Sequence, residues 1–330
     1  MRALVTGGGG FLGTELCRQL RAAGDEVHSV SRGDHPHLRA HGVVTHRGDL
    51  ADAPKLAELA EGMDVVFHVA AKAGVWGRRR DYFVTNLEGT EHVLAACRSA
   101  GVPRLVHTSS PSVCFDGKDH RRVAADLPRA TDFLAHYPAS KAAAEERVLA
   151  ENDARLTTCA LRPHLIFGPG DPHILPRLVE RARAGRLAVV GAGDNEVTLC
   201  YVENAAHAHV LAARALEPGA PHAGRAYFIG QEQPVELWPW IDELLATLDI
   251  PAVRRRVSHR TAHVAGAALE GLWRLLSLPG EPPMTRFVAA QLATSHSYSM
   301  QPARDAFGYR ELVDLEQATR RSVEWLRGAR

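Results

Sequence analysis

The feature that most constrains the fold is a regular alternation of strand and helix patterns in the first half of the chain. Short apolar, β-branched runs occur at residues 3–6, 26–31, 42–50, 64–71, 104–110 and 157–168. Helical patterns separate them at 13–23, 53–61, 81–99 and 137–151. Strands that are apolar on both faces and alternate with helices are typical of a doubly wound parallel sheet. The sequence therefore predicts an α/β Rossmann fold over residues 1–168.

The alternation loosens after residue 168. Turn-rich stretches, GPGDPHILP at 168–176 and LEPGAPHAG at 216–224, interrupt it, and helical patterns such as 237–248 follow. We expect residues 169–330 to form mainly a smaller, mostly helical substrate-binding domain, with some segments returning to the Rossmann core.

Composition excludes several classes of partner. The net charge of +1 gives no reason to expect nucleic acid or an anionic membrane as a partner. Five dispersed cysteines without a CxxC pair indicate reduced thiols, and the chain enters a strand pattern at once, so we expect a cytoplasmic protein. The segment 261–280 is amphipathic: it packs on its own protein, which we favour, or makes peripheral contact with a membrane or greasy ligand.

A glycine-rich loop follows the first strand. VTGGGGFLGTEL places Gly7, Gly10 and Gly13 between that strand and the start of a helix. Glycines let the backbone turn tightly and approach a pyrophosphate, whose charge a helix N-terminus stabilises. The loop therefore predicts a dinucleotide cofactor.

The end of the second strand indicates which dinucleotide. The sequence SVSRG has Ser31 and Arg32 where an NAD site usually has an acidic residue for the ribose hydroxyl. A guanidinium suits a 2′-phosphate, so we expect NADP. Asp49, in RGDL, either accepts from the adenine amino group or caps the following helix.

YPASK, at 137–141, places Tyr137 and Lys141 one helical turn apart in a chain with only four lysines. An ammonium group near a phenol favours the phenolate and lowers its pKa. Such a tyrosine can exchange a proton with a carbonyl oxygen while hydride is transferred. Ser110, in HTSSPSVC, is placed to hydrogen-bond the same oxygen. Together these residues predict hydride-transfer chemistry.

Seven motifs along the chain occur in the order of a known family: TGGGGFLG, RGDL, HVAA, TNLEGT, TSSPSV, YPASK and LRPHLIFGPGD. Over about residues 1–172 the chain therefore resembles the extended short-chain dehydrogenase/reductases. The resemblance implies Tyr137 as acid/base, Lys141 as its partner, Ser110 as carbonyl orienter and Asn86 as a further catalytic residue. It implies cofactor contacts from Gly7, Gly10, Phe11, Leu12, Gly13, Ser31, Arg32, Asp49, Leu50, Ala70, Ala71, Lys72, Tyr137, Lys141 and Pro163.

Three further motifs indicate which branch of that family the chain resembles. YVENAAHAH, EPPMTRF and YSMQPARDAFGYRE are similar to the 3β-hydroxysteroid and sterol dehydrogenase branch. Val197 and Thr198 stand where sugar-nucleotide epimerases and dehydratases usually carry an Arg–Asp pair. AAKAGVWG together with TSSPSV is similar to bacterial 2-alkyl-3-oxoalkanoate reductases of olefin biosynthesis. This likeness implies NADPH-dependent reduction of a long-chain β-keto acid to the β-hydroxy acid. It further implies association with other enzymes of that pathway, and the family implies a homodimer through helices 81–99 and 137–151.

Such a substrate needs an apolar pocket for its alkyl tails and a cation or donors for its carboxylate. Residues 273–276 are candidates for the pocket. The carboxylate candidates, which the sequence does not rank, are Arg78, Arg79, Arg80, His164 and Arg286.

Other functions fit the sequence less well. The histidine pairs at 35/37 and 207/209 lack the carboxylates or cysteines of a metal site, so we expect no metal. A nucleotide-sensing regulator without catalysis would be expected to lose Tyr137, Lys141 or Ser110. The main alternative is therefore another enzyme, an NAD(P)-dependent 3β-hydroxysteroid or sterol dehydrogenase.

Overall fold

The structure is a computed structural model, and it describes residues 1–328. The strands in chain order are β1 Arg2–Thr6, β2 Glu26–Ser31, β3 Val44–Arg47, β4 Val65–His68, β5 Arg104–Thr108, β6 His120–Val123, β7 Thr157–Pro163, β8 Ile166–Phe167, β9 Val189–Val190, β10 Glu196–Val197, β11 Cys200–Tyr201, β12 Ala226–Ile229, β13 Val235–Glu236, β14 Arg256–Val257 and β15 His296–Tyr298.

The helices connect these strands and cover the sheet. They are α1 Phe11–Ala22, α2 Pro36–Ala40, α3 Ala53–Ala60, α4 Arg79–Phe83, α5 Gly89–Ala100, α6 His136–Ala150, α7 Ile174–Arg183, α8 Val202–Ala215, α9 Leu237–Thr247, α10 His259–Leu275, α11 Arg286–Ala293, α12 Gln301–Phe307 and α13 Leu315–Gly328.

Seven strands form one parallel sheet in the order β12-β7-β5-β4-β1-β2-β3. The predicted Rossmann fold is confirmed. The strand order reverses between β1 and β4, and ligands of such sheets bind at the carboxyl ends of the strands beside this point. Leu12, Leu16 and Leu20 are buried, which gives α1 its apolar face. That helix packs against the sheet and, side by side, against α8, which also contacts the sheet.

The second half of the chain contributes to two cores. β12 completes the main sheet by pairing with β7, so the chain returns to the Rossmann core after residue 168. The remaining strands form a four-stranded sheet, β13-β10-β15-β6, and two short pairs. A separate apolar cluster around Trp238, Trp240 and Leu244 holds α9 against these elements. The division at residue 168 stays a prediction.

The helix predicted at 81–99 is interrupted. It consists of α4, a π-helical turn at Val84–Glu88, and α5. A π turn inserts an extra residue into the helical ladder, and such turns often occur at functional sites. Here the turn contains the buried Asn86, and nothing in its local sequence predicts this geometry.

Candidate active site

A cavity of about 930 Å³ lies at the carboxyl ends of the parallel strands. Its wall comes from the loops after β1, β2, β3, β4 and β5, from α6 and from the end of β7, together with segments of the second half of the chain. The sheet thus brings the glycine loop, Ser110, Tyr137 and Lys141 to one site.

The glycine loop has the shape that a pyrophosphate requires. Gly7 adopts a φ of +70°, and a Cβ there would lie 2.8 Å from Cα of Ala70. A Cβ on Gly13 would lie 2.2 Å from the carbonyl oxygen of Gly7, so α1 and the loop approach as closely as backbone allows. Gly10, which precedes α1, makes no side-chain cap, and the first N–H groups of the helix are left for an anion. These residues fit a dinucleotide.

The far end of the cavity is lined by Ser31, Arg32, His35 and Asp49. Ser31 Oγ accepts from the backbone N–H of Gly9 at 3.3 Å, and Arg32 is exposed. His35, which the sequence did not suggest for the cofactor, lies over Gly9, where an added Cβ would be 2.1 Å from Nε2.

Asp49 does not cap α3. That cap is Asp52, whose side chain accepts from the N–H of Lys55 at 3.1 Å. Asp49 instead accepts from the N–H of Ala51 at 3.0 Å and lines the cavity. The helix-capping alternative for Asp49 is therefore wrong.

Tyr137 lies in the first turn of α6, close to Ser110 at the start of the loop after β5. Burial raises the pKa of Tyr137, and a hydrogen bond with the Ser110 hydroxyl opposes the rise. Ser110 is fixed in turn by Ser112, whose hydroxyl lies 2.9 Å away. In the protein alone, desolvation outweighs the stabilisation of the phenolate, and the pKa of Tyr137 is raised. The lowering expected from the Lys141 ammonium together with the positive charge of a nicotinamide stays a prediction.

Lys141 is almost fully buried, at 2% exposed. Its ammonium donates to the carbonyl oxygen of Thr108 at 2.5 Å, and Nε2 of His107 lies 3.1 Å away. Burial lowers the pKa of Lys141 to about 7, with Glu145 opposing the shift. The nitrogen is thus held in one orientation, and its charge is sensitive to pH near neutrality.

Of the predicted site residues, most line this one cavity. These are Gly7, Gly10, Phe11, Leu12, Gly13, Ser31, Arg32, Asp49, Leu50, Ala70, Ala71, Ser110, Tyr137, Lys141 and Pro163.

Two predicted residues, Lys72 and Asn86, lie behind the cavity wall. The Asn86 amide accepts from the N–H of Lys72 at 2.7 Å, and its Nδ2 donates to the Lys72 carbonyl and to Ser140 Oγ. The Lys72 ammonium lies 5.4 Å from the ring centroid of Tyr82. In this structure Asn86 therefore fixes the loop after β4 against α6, and its catalytic role stays a prediction.

The second half of the chain supplies a wall that the sequence did not reveal. It includes Asp171, His173, Ile174, Arg177, Glu281, Phe287, Gln291 and Tyr298. Arg177 Nη1 donates to Glu281 Oε2 at 2.9 Å, which links α7 to the segment after α10. Four of these residues fall within motifs that carry the family resemblance: Asp171, Glu281, Phe287 and Tyr298. Those motifs do not show that the residues line the cavity, because the residues come together only through packing of distant segments.

The residues predicted to bind a substrate carboxylate differ in the contacts that they make within the protein. Arg286 is committed to the buried Glu270, with Nε at 3.0 Å and Nη2 at 2.8 Å, so it is unsuited to a substrate. His164 lines the cavity, but burial holds its pKa well below the ordinary value, and its Nδ1 donates to the Thr198 carbonyl. Arg79 stacks on Phe83 at 4.0 Å. Residues 273–276 do not line the cavity.

The match to known proteins agrees with this geometry. The model of the 3-beta hydroxysteroid dehydrogenase/isomerase family matches residues 4–257. The chain belongs to this family. The predicted resemblance is thereby confirmed, and the protein is an oxidoreductase of the short-chain dehydrogenase type.

Several proteins that are 34–50% identical to this chain have named activities. The chain is 50% identical over 328 residues to the 2-alkyl-3-oxoalkanoate reductase of Stenotrophomonas maltophilia (strain K279a), covering 97% of this chain and 98% of that one. It is 44% identical to the protein of the same name from Shewanella oneidensis, covering 97% and 84%. It is 34% identical to the mouse (Mus musculus) sterol-4-alpha-carboxylate 3-dehydrogenase, decarboxylating, covering 98% and 90%.

Solved structures of this family's fold are similar throughout. The crystal structure of gox2253 superposes with a TM-score of 0.81 at 23% identity, covering 99% of this chain and 98% of that one. MoeE5 in complex with UDP-glucose and NAD superposes with a TM-score of 0.74 at 25% identity, covering 100% and 99%.

Residues 1–328 lack a metal-binding cluster and a helix that could cross a membrane. No group of three or more His, Cys, Asp and Glu side chains in that range is arranged to hold a metal ion. Within the same range, no helix has the length and hydropathy that crossing a membrane would require.

Proposed function

We propose that this protein reduces a 2-alkyl-3-oxoalkanoate to the 2-alkyl-3-hydroxyalkanoate with NADPH, in the biosynthesis of olefinic hydrocarbons. The observation that carries the proposal is the grouping of Ser110, Tyr137 and Lys141 in one cavity with the glycine loop and Arg32. The 50% identity to a 2-alkyl-3-oxoalkanoate reductase supports the substrate class.

A nicotinamide cofactor is supported by the fit of the glycine loop to a pyrophosphate and by the NAD complex of the similar MoeE5. NADPH over NADH is inferred from Arg32. An exposed guanidinium in the cavity wall suits a 2′-phosphate, and Ser31 replaces the carboxylate that would repel it.

When bound, the cofactor supplies hydride to the substrate's C3 carbon. The residues of the chain handle the oxygen: the Ser110 hydroxyl and Tyr137 Oη converge on it, and Tyr137 donates the proton that completes the alcohol. A buried phenol with a raised pKa is protonated at neutral pH, which suits a general acid in the direction of reduction. The tyrosinate left behind is reprotonated from solvent.

The test is an absorbance assay in the reverse direction, with a racemic 2-alkyl-3-hydroxy fatty acid and NADP⁺. The hydroxy acid is used because β-keto acids lose carbon dioxide spontaneously. The proposal predicts formation of NADPH, with NAD⁺ a much poorer acceptor. Absence of turnover with either nucleotide contradicts it.

A second candidate is a 3β-hydroxysteroid or sterol dehydrogenase, favoured by the 34% identity to the mouse sterol-4-alpha-carboxylate 3-dehydrogenase. The names of the two relatives imply a shared substrate feature: the carbon that carries the reacting oxygen is bonded to the carbon that bears the carboxylate. Oxidation of a 3β-hydroxysteroid with NAD⁺, without turnover of the acyclic acid, would support this alternative and count against the role of Arg32.

A further inference from the structure

Helix α10 presents an apolar face to solvent. Its exposed residues, here called the α10 face, are Val264, Ala265, Ala267, Ala268, Gly271, Leu272, Leu275 and, just beyond the helix, Leu276. Leu275 is 82% exposed, Val264 60% and Leu276 57%. Exposed large apolar side chains grouped on one helix usually mark an interaction surface, whereas isolated ones are ordinary.

The opposite face of α10 already makes the contacts that hold the helix in place. Ala262, Gly266 and Glu270 are buried, and α10 packs against α11. A Cβ on Gly266 would lie 2.7 Å from the carbonyl carbon of Thr285, so the two segments meet at backbone distance. The α10 face is therefore not needed for packing within the chain.

The exposed charges within residues 254–276 have one sign. Residues 254–276 contain five arginines, all exposed, and Glu270 is the only acidic residue among them. Glu270 is 2% exposed and pairs with two arginines, Arg286 at 2.8 Å and Arg274 at 3.6 Å, which leaves the other four arginines of the segment without an acidic partner inside it. The surface that this segment presents is thus apolar and cationic.

The leucines of the α10 face lie beside the cavity. The guanidinium of Arg274 lies 4.9 Å from the ring centroid of Trp76, which follows the cavity-lining residues Gly74 and Val75. Glu281, a few residues after α10, lines the cavity as well. A surface that covered Leu275 and Leu276 would therefore lie near the loop that contributes Gly74 and Val75 to the cavity wall.

We propose that the α10 face docks on the surface of an anionic lipid bilayer. An amphipathic helix binds there through its buried apolar area and through the attraction of flanking arginines to acidic headgroups. A second copy of the chain is disfavoured as the occupant, because a two-fold contact through this face would bring the flanking arginines of one copy close to those of the other. The docked enzyme would present its cavity to apolar molecules held in the membrane.

The test is flotation of the full-length protein with vesicles of phosphatidylcholine, with and without phosphatidylglycerol. We expect flotation with the anionic vesicles that weakens as salt increases. The double variant Leu275→Glu with Leu276→Glu is expected to bind about tenfold more weakly or worse, because burying a leucine side chain contributes roughly 1.5–3 kcal/mol.

Leu312→Glu is the matched control, because Leu312 is 56% exposed but lies outside α10. It is expected to float like the wild type, and thermal unfolding of both variants verifies that they are folded. Three results would overturn the proposal: no flotation of the wild type, equal flotation of the double variant, or a wild-type dimer without vesicles that the double variant dissociates. None of these depends on the substrate or the cofactor.

Discussion

The ammonium nitrogen of Lys141, on α6, lies 3.1 Å from Nε2 of His107, on β5. A charged lysine only donates, so Nε2 accepts and the imidazole proton is on Nδ1, which has no hydrogen-bond partner among the described residues. The Thr108 carbonyl takes a second N–H at 2.5 Å. One N–H of Lys141 is left to point into the cavity.

His107 is therefore expected to sustain the charge of Lys141. Burial lowers the pKa of Lys141 to about 7, so cofactor affinity should fall as pH rises through that value and the ammonium is lost. His107→Phe removes an acceptor, disfavours the ammonium further and should move the midpoint to lower pH. The measurement is the dissociation constant of NADPH against pH.

Two further variants separate this effect from a general loss of packing. His107→Gln retains an acceptor, so its midpoint should lie between that of His107→Phe and that of the wild type. His209→Phe removes another buried imidazole, one that contacts Thr108 Oγ1 but not Lys141, and should leave the midpoint unchanged. The same midpoint in all four proteins would contradict the role of His107.

Tyr137→Phe is expected to lower kcat by about 10²–10⁴ while NADPH binds as before, because only the transferable proton is removed. The control is Tyr298→Phe, since Tyr298 also lines the cavity but stacks on Phe228, with centroids 4.0 Å apart. Steady-state turnover and cofactor fluorescence measure the two effects. Near-wild-type turnover of Tyr137→Phe would contradict the role of Tyr137 as the general acid.

Arg32→Ala is expected to weaken NADPH binding about tenfold to a hundredfold, because hydrogen bonds to charged groups contribute roughly 1.5–3 kcal/mol. NADH binding should be nearly unchanged. Arg47→Ala is the control: Arg47 is an exposed arginine at the end of the neighbouring strand β3 and does not line the cavity. Equal losses for both nucleotides would show that Arg32 does not distinguish them.

Arg177 is the arginine that the C-terminal half contributes to the cavity wall. Its partner, unlike that of Arg286, is an exposed glutamate, Glu281, and its own side chain is 54% exposed, so we expect it to attract a substrate carboxylate. Arg177→Gln should raise KM for the 2-alkyl-3-hydroxy acid about tenfold and leave KM for its methyl ester unchanged. Arg181→Gln is the control, because Arg181 lies one turn later on α7 and does not line the cavity. An equal change for acid and ester would contradict recognition of the charge.

Glu145 is expected to be important for stability. It is fully buried, and Arg162 donates to it at 2.7 and 2.8 Å. Glu145→Gln should lower the free energy of unfolding by about 3–5 kcal/mol, because it leaves a buried guanidinium without its counter-ion. The exposed Glu146 provides the control, Glu146→Gln, which should change little. Urea unfolding measures both.

The pH dependence of the same interaction has a definite sign. Burial alone would raise the pKa of Glu145, but hydrogen bonding and charge from Arg162 lower it below its ordinary 4.5. The pair therefore stabilises the fold fully above the unfolded pKa and progressively less as pH falls below it. The difference between wild type and Glu145→Gln should narrow in acid, and a constant difference would contradict the ion pair.

The sequence by itself determined the Rossmann fold and the cofactor half of the cavity. Strand and helix patterns, the glycine loop and YPASK are local, and parallel strands bring their carboxyl ends to one edge. The sequence alone therefore places together residues that follow those strands, such as Gly7, Arg32 and Ser110.

Only the tertiary structure decided the rest. Arg177 and Glu281 are 104 positions apart and meet through the packing of α7 and the segment after α10, which no local pattern encodes. The pKa of Tyr137 depends on burial, and burial is a property of the whole fold. The outward direction of the α10 face was undetermined for the same reason: an amphipathic pattern shows that a helix has two faces, and only its neighbours show which one is covered.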